Sequence, residues 1–318
     1  MKMKKTNLTK AIILVLCFSV FGPYPVQAWQ KKAPKIVVGA NLKEYKKLNK
    51  KQCDIIVPKQ YPTIQGGINA AVAGDTVCVR KGIYNENVVI NKSIRLSGSG
   101  VTKSIINGQT TDATVYIAGD GNANNVIVEG FLIRGVDGTG LNDPAAFNIG
   151  PFASGATIRY NRIVAGNAQL AVRADSGQNN ELFYNNIFEG NNSPNLFKNV
   201  GAQGPSYKID VLNNTFAGTV KQTYPDSGRV LETWATNSLI QRNAFNTTGT
   251  ITSIVNSSYP SNIVSENNLN SSTTVKVGTY SGGTLNAENN WWGDLDPSDN
   301  IQGNVDFTPF ATSPYKQN

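Results

Sequence analysis

Six times in this chain an apolar residue is followed three positions on by Asn and five positions on by a second apolar residue. The instances are Ile158–Asn161–Ile163, Leu182–Asn185–Ile187, Val211–Asn214–Phe216, Ile240–Asn243–Phe245, Val264–Asn267–Leu269 and Ala287–Asn290–Trp292. The Asn positions lie 24, 29, 29, 24 and 23 residues apart, and a weaker copy, Ile127–Gly130–Leu132, precedes them. A period of this length built from short alternating runs marks a solenoid, here a parallel β-helix. Three short strands and three turns at ~3.3 Å per residue need roughly two dozen residues per coil.

Asn suits such a corner for two reasons. It tolerates left-handed backbone, and its amide can bond the same amide one rung above or below. The apolar residues at minus three and plus two then point inward. Gly130 fits the first requirement, since Gly also adopts that backbone. Asn–x–aliphatic is common in any Asn-rich chain, so the weight rests on the register of six copies.

Composition agrees with an all-β solenoid: 40% hydrophobic residues against 16% charged, over 318 residues. The net charge of +8 is uneven. Residues 1–28 carry four Lys and no acid, and 29–52 carry eight Lys and one Glu, so residues 53–318 are slightly acidic. Basic and aromatic residues do not interleave along the body, which argues against nucleic-acid binding. Lys31 to Lys51 reads as a basic arm or solvated linker, with attraction to an anionic surface as the rival reading.

The N-terminus has the form of a secretory signal. Lys2, Lys4, Lys5 and Lys10 precede an apolar run, Ala11–Phe21, too short for a spanning anchor. Val26-Gln27-Ala28 is a small-x-Ala cleavage site, so the mature chain is expected to start at Trp29, with no transmembrane anchor. The expected location is secreted, periplasmic or cell-surface. Cys53 and Cys78 then remain in an oxidising compartment. They are read as a disulfide between neighbouring strands, with two buried thiols as the alternative.

Thr63–Ala73 has helical spacing, with Ile64, Ile68, Ala71 and Val72 on one face and Thr63 as N-cap. This short helix is expected to plug the open end of the solenoid. Strands are expected at Thr76–Arg80, Asn87–Ile90, Ser93–Leu96 and Ser104–Ile106. Trp291, Trp292, Phe307 and Phe310 are expected to close the other end.

The opening segment YPTIQGGINAAVAGDTVCVRKGIYNENVVINKSIRLSGSG and the closing NNWWGDLDPSDNIQGNVDFTPF resemble the pectin-lyase-like superfamily of secreted right-handed parallel β-helix proteins. With the repeats, the resemblance covers residues 53–313. It implies the fold and says little of function, because the superfamily holds lyases, hydrolases, esterases, epimerases and adhesins. Its enzyme signatures are missing. Polygalacturonase-like Asn-Thr-Asp, Asp-Asp and Gly-His-Gly are absent, as are the lyase Trp-x-Asp-His and Arg-x-Pro-x-x-Arg. Where an epimerase reads Asp-Pro-His this chain has Asp143-Pro144-Ala145. The chain has no His at all, which removes the commonest general base at neutral pH.

What remains is a column of outward residues on the strand about a dozen positions before each Asn. The runs FNIG, LAVRAD, LFKNV, RVLETW and TVKVG stack Asn148, Arg173, Lys198, Glu232 and Lys276 on one face, with Asp175, Trp234, Tyr184 and Tyr160 beside them. In lysis of a uronate, Arg173 and Lys198 would neutralise the sugar carboxylate and take its acidic carbon proton. Glu232 would position a hydroxyl or Ca²⁺. Asn148, Asp175, Trp234 and Lys276 would line the binding surface. The plain alternative is a solvated sheet face. Asp294, Asp296 and Asp299 form an acidic turn that admits Ca²⁺, but it lacks EF-hand spacing, so turn capping is favoured and no cofactor is assigned. The expected role is a monomeric exported protein that binds a polysaccharide or cell-surface glycan, with lyase-type cleavage as its catalytic version. The alternative class is a non-catalytic surface or adhesion solenoid.

Overall fold

The computed structural model describes residues 37–45, 52–110, 113–137, 144–175, 180–199 and 208–318. Residues 1–28, read as the signal, lie outside them, as does most of the basic arm. The described chain is a right-handed parallel β-helix, about nine turns long. Three parallel sheets wrap one core. One coil runs through Thr157–Arg159 in the first sheet, Arg162–Val164 in the second and Leu170–Ala174 in the third. It then re-enters the first sheet at Glu181–Tyr184, where Thr157 pairs with Leu182.

The corner between the first and second sheets carries the Asn ladder. Its members are Asn161, Asn186, Asn214, Asn243, Asn267 and Asn290, all fully buried. Each Oδ1 accepts from the main-chain N–H and the Nδ2 of the rung above: Asn214 N–H to Asn243 Oδ1 is 2.8 Å and Asn214 Nδ2 to the same atom is 3.2 Å. Each Nδ2 also donates to a carbonyl of the coil above, as Asn214 does to Phe183 O at 2.9 Å. Phe131 N–H, bonded to Asn161 Oδ1 at 3.0 Å, starts the stack.

Two expectations shift by one residue here. The ladder uses Asn186, not Asn185, and the weak first copy is centred on Phe131, not Gly130. The left-handed residue is the one before each ladder position: Gly130, Tyr160, Asn185, Asn213, Arg242, Glu266 and Asn289, with φ between 53° and 78°. The ladder Asn is therefore selected for its amide, and the corner conformation is carried by its neighbour.

The core is filled one ring per sheet at its middle. Phe183, Phe188 and Phe197 come from the three sheets of one coil, with centroids 4.9–6.3 Å apart. Phe216 stacks on Phe245 at 4.6 Å. At one end the helix Ile64–Ala70 buries Ile64 and Ile68, and Thr63 caps it by accepting from Gly66 N–H. Glu86 accepts from the N–H groups of Ile64 and Gln65, both at 2.9 Å. This places a carboxylate where unpaired donors need one. Val72 is exposed, because Ala71 leaves helical geometry and breaks the period. At the other end Trp292 is fully buried and packs against Phe307, which meets Phe310; Trp291 is only half-buried.

Cys53 and Cys78 form a disulfide at a sequence separation of 25. Closing a loop of that size restricts the unfolded chain by about 3 kcal/mol.

Residues 37–45 belong to the stretch read as a loose arm, yet they lie along the solenoid as a strap. Val37–Val38 pairs in parallel with Lys316–Gln317 near the C-terminus. Gly39 N–H then bonds Arg242 O, Ala40 N–H bonds Thr215 Oγ1, and Asn41 N–H bonds Asn185 Oδ1. The strap carries Tyr45, buried against Gly130, whose absent Cβ would strike the ring. The Tyr45 hydroxyl donates to Gly98 O at 2.6 Å and meets Ser97 Oγ at 3.1 Å. Burial pushes its phenol up to about 12, so it stays a donor. Beneath it Glu129, fully buried, accepts from Arg95 and Arg159.

Candidate functional site

The third sheet presents its outer face on strands whose alternate residues are fixed by the core. Phe147, Val172, Phe197, Leu231, Val255 and Val277 point inward. Their neighbours stack outward in strict register: Tyr116, Asn148, Arg173, Lys198, Glu232, Asn256, Gly278 and Gln302. Asn148, Arg173, Lys198 and Glu232 thus form the column that the sequence pattern predicts. At ~4.8 Å per rung, Arg173 to Glu232 spans about 10 Å.

Three expected members fall elsewhere. Lys276 does not join the column, where Gly278 stands at its rung. Lys276 occupies the position filled by buried Ile254 one coil earlier; Val255 N–H bonds its carbonyl. Its ammonium donates to Trp292 O and lies 3.7 Å from Asp294. That ion pair belongs to the C-terminal cap. Tyr160 and Tyr184 lie at the ladder corner instead, bonded hydroxyl to hydroxyl at 2.9 Å, with the Tyr45 ring tilted against that of Tyr160 at 5.6 Å.

The column members are held differently. Asp175, two residues after Arg173 on the same face, accepts from its Nε at 2.7 Å. Glu232 is nearly buried and both its oxygens are engaged. Oε1 accepts from Arg229 Nη1 at 2.5 Å and from the Trp234 indole N–H at 3.4 Å, and Oε2 accepts from Asn195 Nδ2 at 3.1 Å. Arg229 also faces Asp226 at 3.8 Å and lies over the Tyr280 ring at 5.7 Å.

These groups surround an open cleft of about 450 Å³, lined by Lys198, Asp226, Arg229, Glu232, Trp234, Asn256, Ser258 and Tyr280. Sequence reasoning missed Arg229, Asp226, Asn256, Ser258 and Tyr280. Arg229 has the parity of an inward residue, and reaches the cleft because it stands where the strand begins. Tyr280 was legible in principle. Glu232-Thr233-Trp234, Asn256-Ser257-Ser258 and Gly278-Thr279-Tyr280 stack as triplets, so Trp234, Ser258 and Tyr280 make a second outward column beside the first.

Among the described residues, no cluster of three or more His, Cys, Asp or Glu side chains is arranged to hold a metal. At the acidic turn Asp296 caps the short helix Pro297–Asp299 by accepting from Ser298 N–H, and hydrogen bonds to Ser298 hold its carboxyl below its usual range. A strongly shifted carboxyl lies outside the cleft. Glu181 is buried in the core without a partner on either oxygen, and burial raises it to about 8.

No family model matches the chain, and no curated protein matches it. Solved structures similar to it include carbohydrate-active β-helix enzymes. A pectin methylesterase in complex with a hexasaccharide is 11% identical, with TM-score 0.47 over 84% of this chain and 93% of that one. The carrot pectin methylesterase is 14% identical, with TM-score 0.48 over 84% and 86%. An alginate lyase from Paenibacillus is 12% identical, with TM-score 0.33 over 76% and 95%. No helix among the described residues is long and apolar enough to cross a membrane, and the disulfide fits an exported protein.

Proposed function

We propose that the outer face of the third sheet binds an extended polysaccharide or cell-surface glycan without cleaving it. The observation that carries this reading is the open cleft, with the exposed Trp234 ring on its wall and Lys198, Asn256 and Ser258 as polar groups spread over the same three rungs. A flat ladder of side chains repeating every ~4.8 Å suits a linear ligand better than a compact one. An exposed ring beside directional polar groups is the usual make-up of a sugar subsite.

Binding is favoured over lysis by the state of the carboxylate. A carboxylate that positions a hydroxyl or holds Ca²⁺ needs a lone pair directed at the ligand. Glu232 spends both oxygens on Arg229, Trp234 and Asn195. In the catalytic version, Arg173 and Lys198 would neutralise a uronate carboxylate and take its acidic carbon proton, and Glu232 would position a hydroxyl or Ca²⁺. Asn148 and Asp175 extend the surface in either case. Export is part of the proposal: residues 1–28 are a signal, 29–52 a basic lead-in, and the solenoid from residue 53 acts as a monomer.

The mature chain, applied to a glycan array, is expected to retain one class of extended glycan. Incubated with uronic-acid polymers and Ca²⁺, it is expected to give no rise in ultraviolet absorbance from unsaturated products. Silence across the array would remove the binding reading in favour of a structural solenoid. Unsaturated product would replace it with lysis.

A further inference from the structure

The cleft contains more charge than it offers to a ligand. Arg229 is answered by Glu232 at 2.5 Å and Asp226 at 3.8 Å, and Glu232 is bonded on both oxygens. The outward-facing apolar surface tells the opposite story. Trp234 is 38% exposed and Tyr280 is 59% exposed, well apart from the half-buried Tyr116 near the other end of the same outer face. The two rings occupy one outward column, two rungs apart, with Ser258 between them. Two rungs make about 10 Å, roughly the length of a disaccharide.

Both rings are tied to the same ion pair. The Trp234 indole N–H donates to Glu232 Oε1, the oxygen that also accepts from Arg229. The Arg229 guanidinium covers one face of Tyr280 and leaves the rest of that ring to solvent. A planar guanidinium can hold a carboxylate and stack on a ring at once, which a lysine ammonium does not reproduce.

We propose that the Arg229–Glu232 pair is a bracket that sets Trp234 and Tyr280 as two ring-stacking subsites, two rungs apart, for sugars of one glycan chain. Arg229 is a positioning residue in this arrangement. The ligand is recognised at this end of the face by the C–H faces of its rings, with Ser258 supplying a hydroxyl between them. This deepens the glycan-binding reading and rests on it. Because the bracket's charges cancel each other, recognition here is insensitive to salt.

The test uses the mature chain with two named probes, cellohexaose (neutral) and hexagalacturonate (acidic), titrated by calorimetry at low and high salt. Wild type is expected to bind at least one probe, with affinity changing less than threefold between the salts. Arg229→Met is expected to lose about tenfold in affinity at an unchanged unfolding temperature. Arg229→Lys is expected to recover only part of that loss, and Tyr280→Ala to lose at least as much as Arg229→Met. Without any ligand, the Trp234 indole N–H resonance is expected to move in Arg229→Met and Glu232→Gln.

Equal binding by wild type and Arg229→Met, or an unmoved indole resonance, overturns the bracket and leaves the glycan reading standing. A steep salt dependence that Arg229→Lys fully restores shows Arg229 acting by charge and likewise overturns it. No binding of either probe by wild type overturns the two-subsite assignment, while the array decides the parent reading separately.

Discussion

The ladder corner and the outer face of the third sheet are built from the same coils, yet they treat repetition in opposite ways. At the corner one residue type recurs on six rungs, from Asn161 to Asn290, and each copy makes the same bonds as the one above. On the face no two neighbouring rungs match: Asn148, Arg173, Lys198, Glu232, Asn256. Identity along a solenoid serves the scaffold, because every rung solves the same problem of pairing buried backbone. Difference along it marks the surface where a ligand can be distinguished. The comparison predicts that substitutions at the corner change stability and that those on the face change binding.

The largest expected effect is at the centre of the ladder. Asn214→Leu removes the side-chain bonds to Phe183 O and Asn243 Oδ1, and takes the acceptor from Asn186 N–H and from one of the two Nδ2 hydrogens of Asn186, the other staying on Ile158 O. Several buried polar groups lose partners at once, so a loss of about 3–5 kcal/mol is expected in chemical unfolding. A loss below about 1 kcal/mol would show that the ladder is incidental. On the face, Trp234→Ala should weaken glycan binding by about 2 kcal/mol, roughly thirtyfold, and leave the unfolding midpoint within experimental error.

Glu181 is a buried carboxyl that neither region uses. Its folded value lies near 8, above that of an unfolded Glu at 4.5. The folded state therefore holds a proton that the unfolded state releases. The group's contribution is fully present below about pH 4.5 and is lost as pH rises toward 8. Glu181→Gln should flatten the fall in melting temperature across that window by about 5 °C. An unchanged pH profile would place the titration elsewhere. The smallest effect expected is Tyr45→Phe on the strap. It removes one hydroxyl from Gly98 O and Ser97 and should cost about 1 kcal/mol, read from the unfolding midpoint.

The sequence made the period, the end caps and four members of the face column visible, because each depends on a repeat or on a local capping signal. It was ambiguous where two apolar residues stand side by side. Leu182-Phe183 and Ile187-Phe188 each fit the alternation in either phase, and Asn185-Asn186 offers two candidates for one ladder position. The structure turns the larger rings inward and so selects Phe183, Asn186 and Phe188. Lys276 was misplaced for a related reason. The third-sheet strands bury two successive residues, such as Ile254 and Val255, so strict alternation counts one position too many outward. The strap left no signal, since it is held largely through its own main-chain groups, by partners such as Thr215 and Asn185 that lie more than a hundred residues away in sequence. Arg229 was hidden by parity, because it escapes the core only through the turn that precedes its strand.

The central claim is that ligand recognition sits on the irregular face and not on the repeated corner. Backbone chemical-shift mapping of the mature chain, titrated with a hexasaccharide retained on the array, tests it directly. The expected result is a continuous set of shifts along Lys198, Glu232, Trp234, Asn256 and Tyr280, with the ladder from Asn161 to Asn290 unmoved. Shifts confined to the strap and the Tyr45–Tyr160–Tyr184 corner would contradict it.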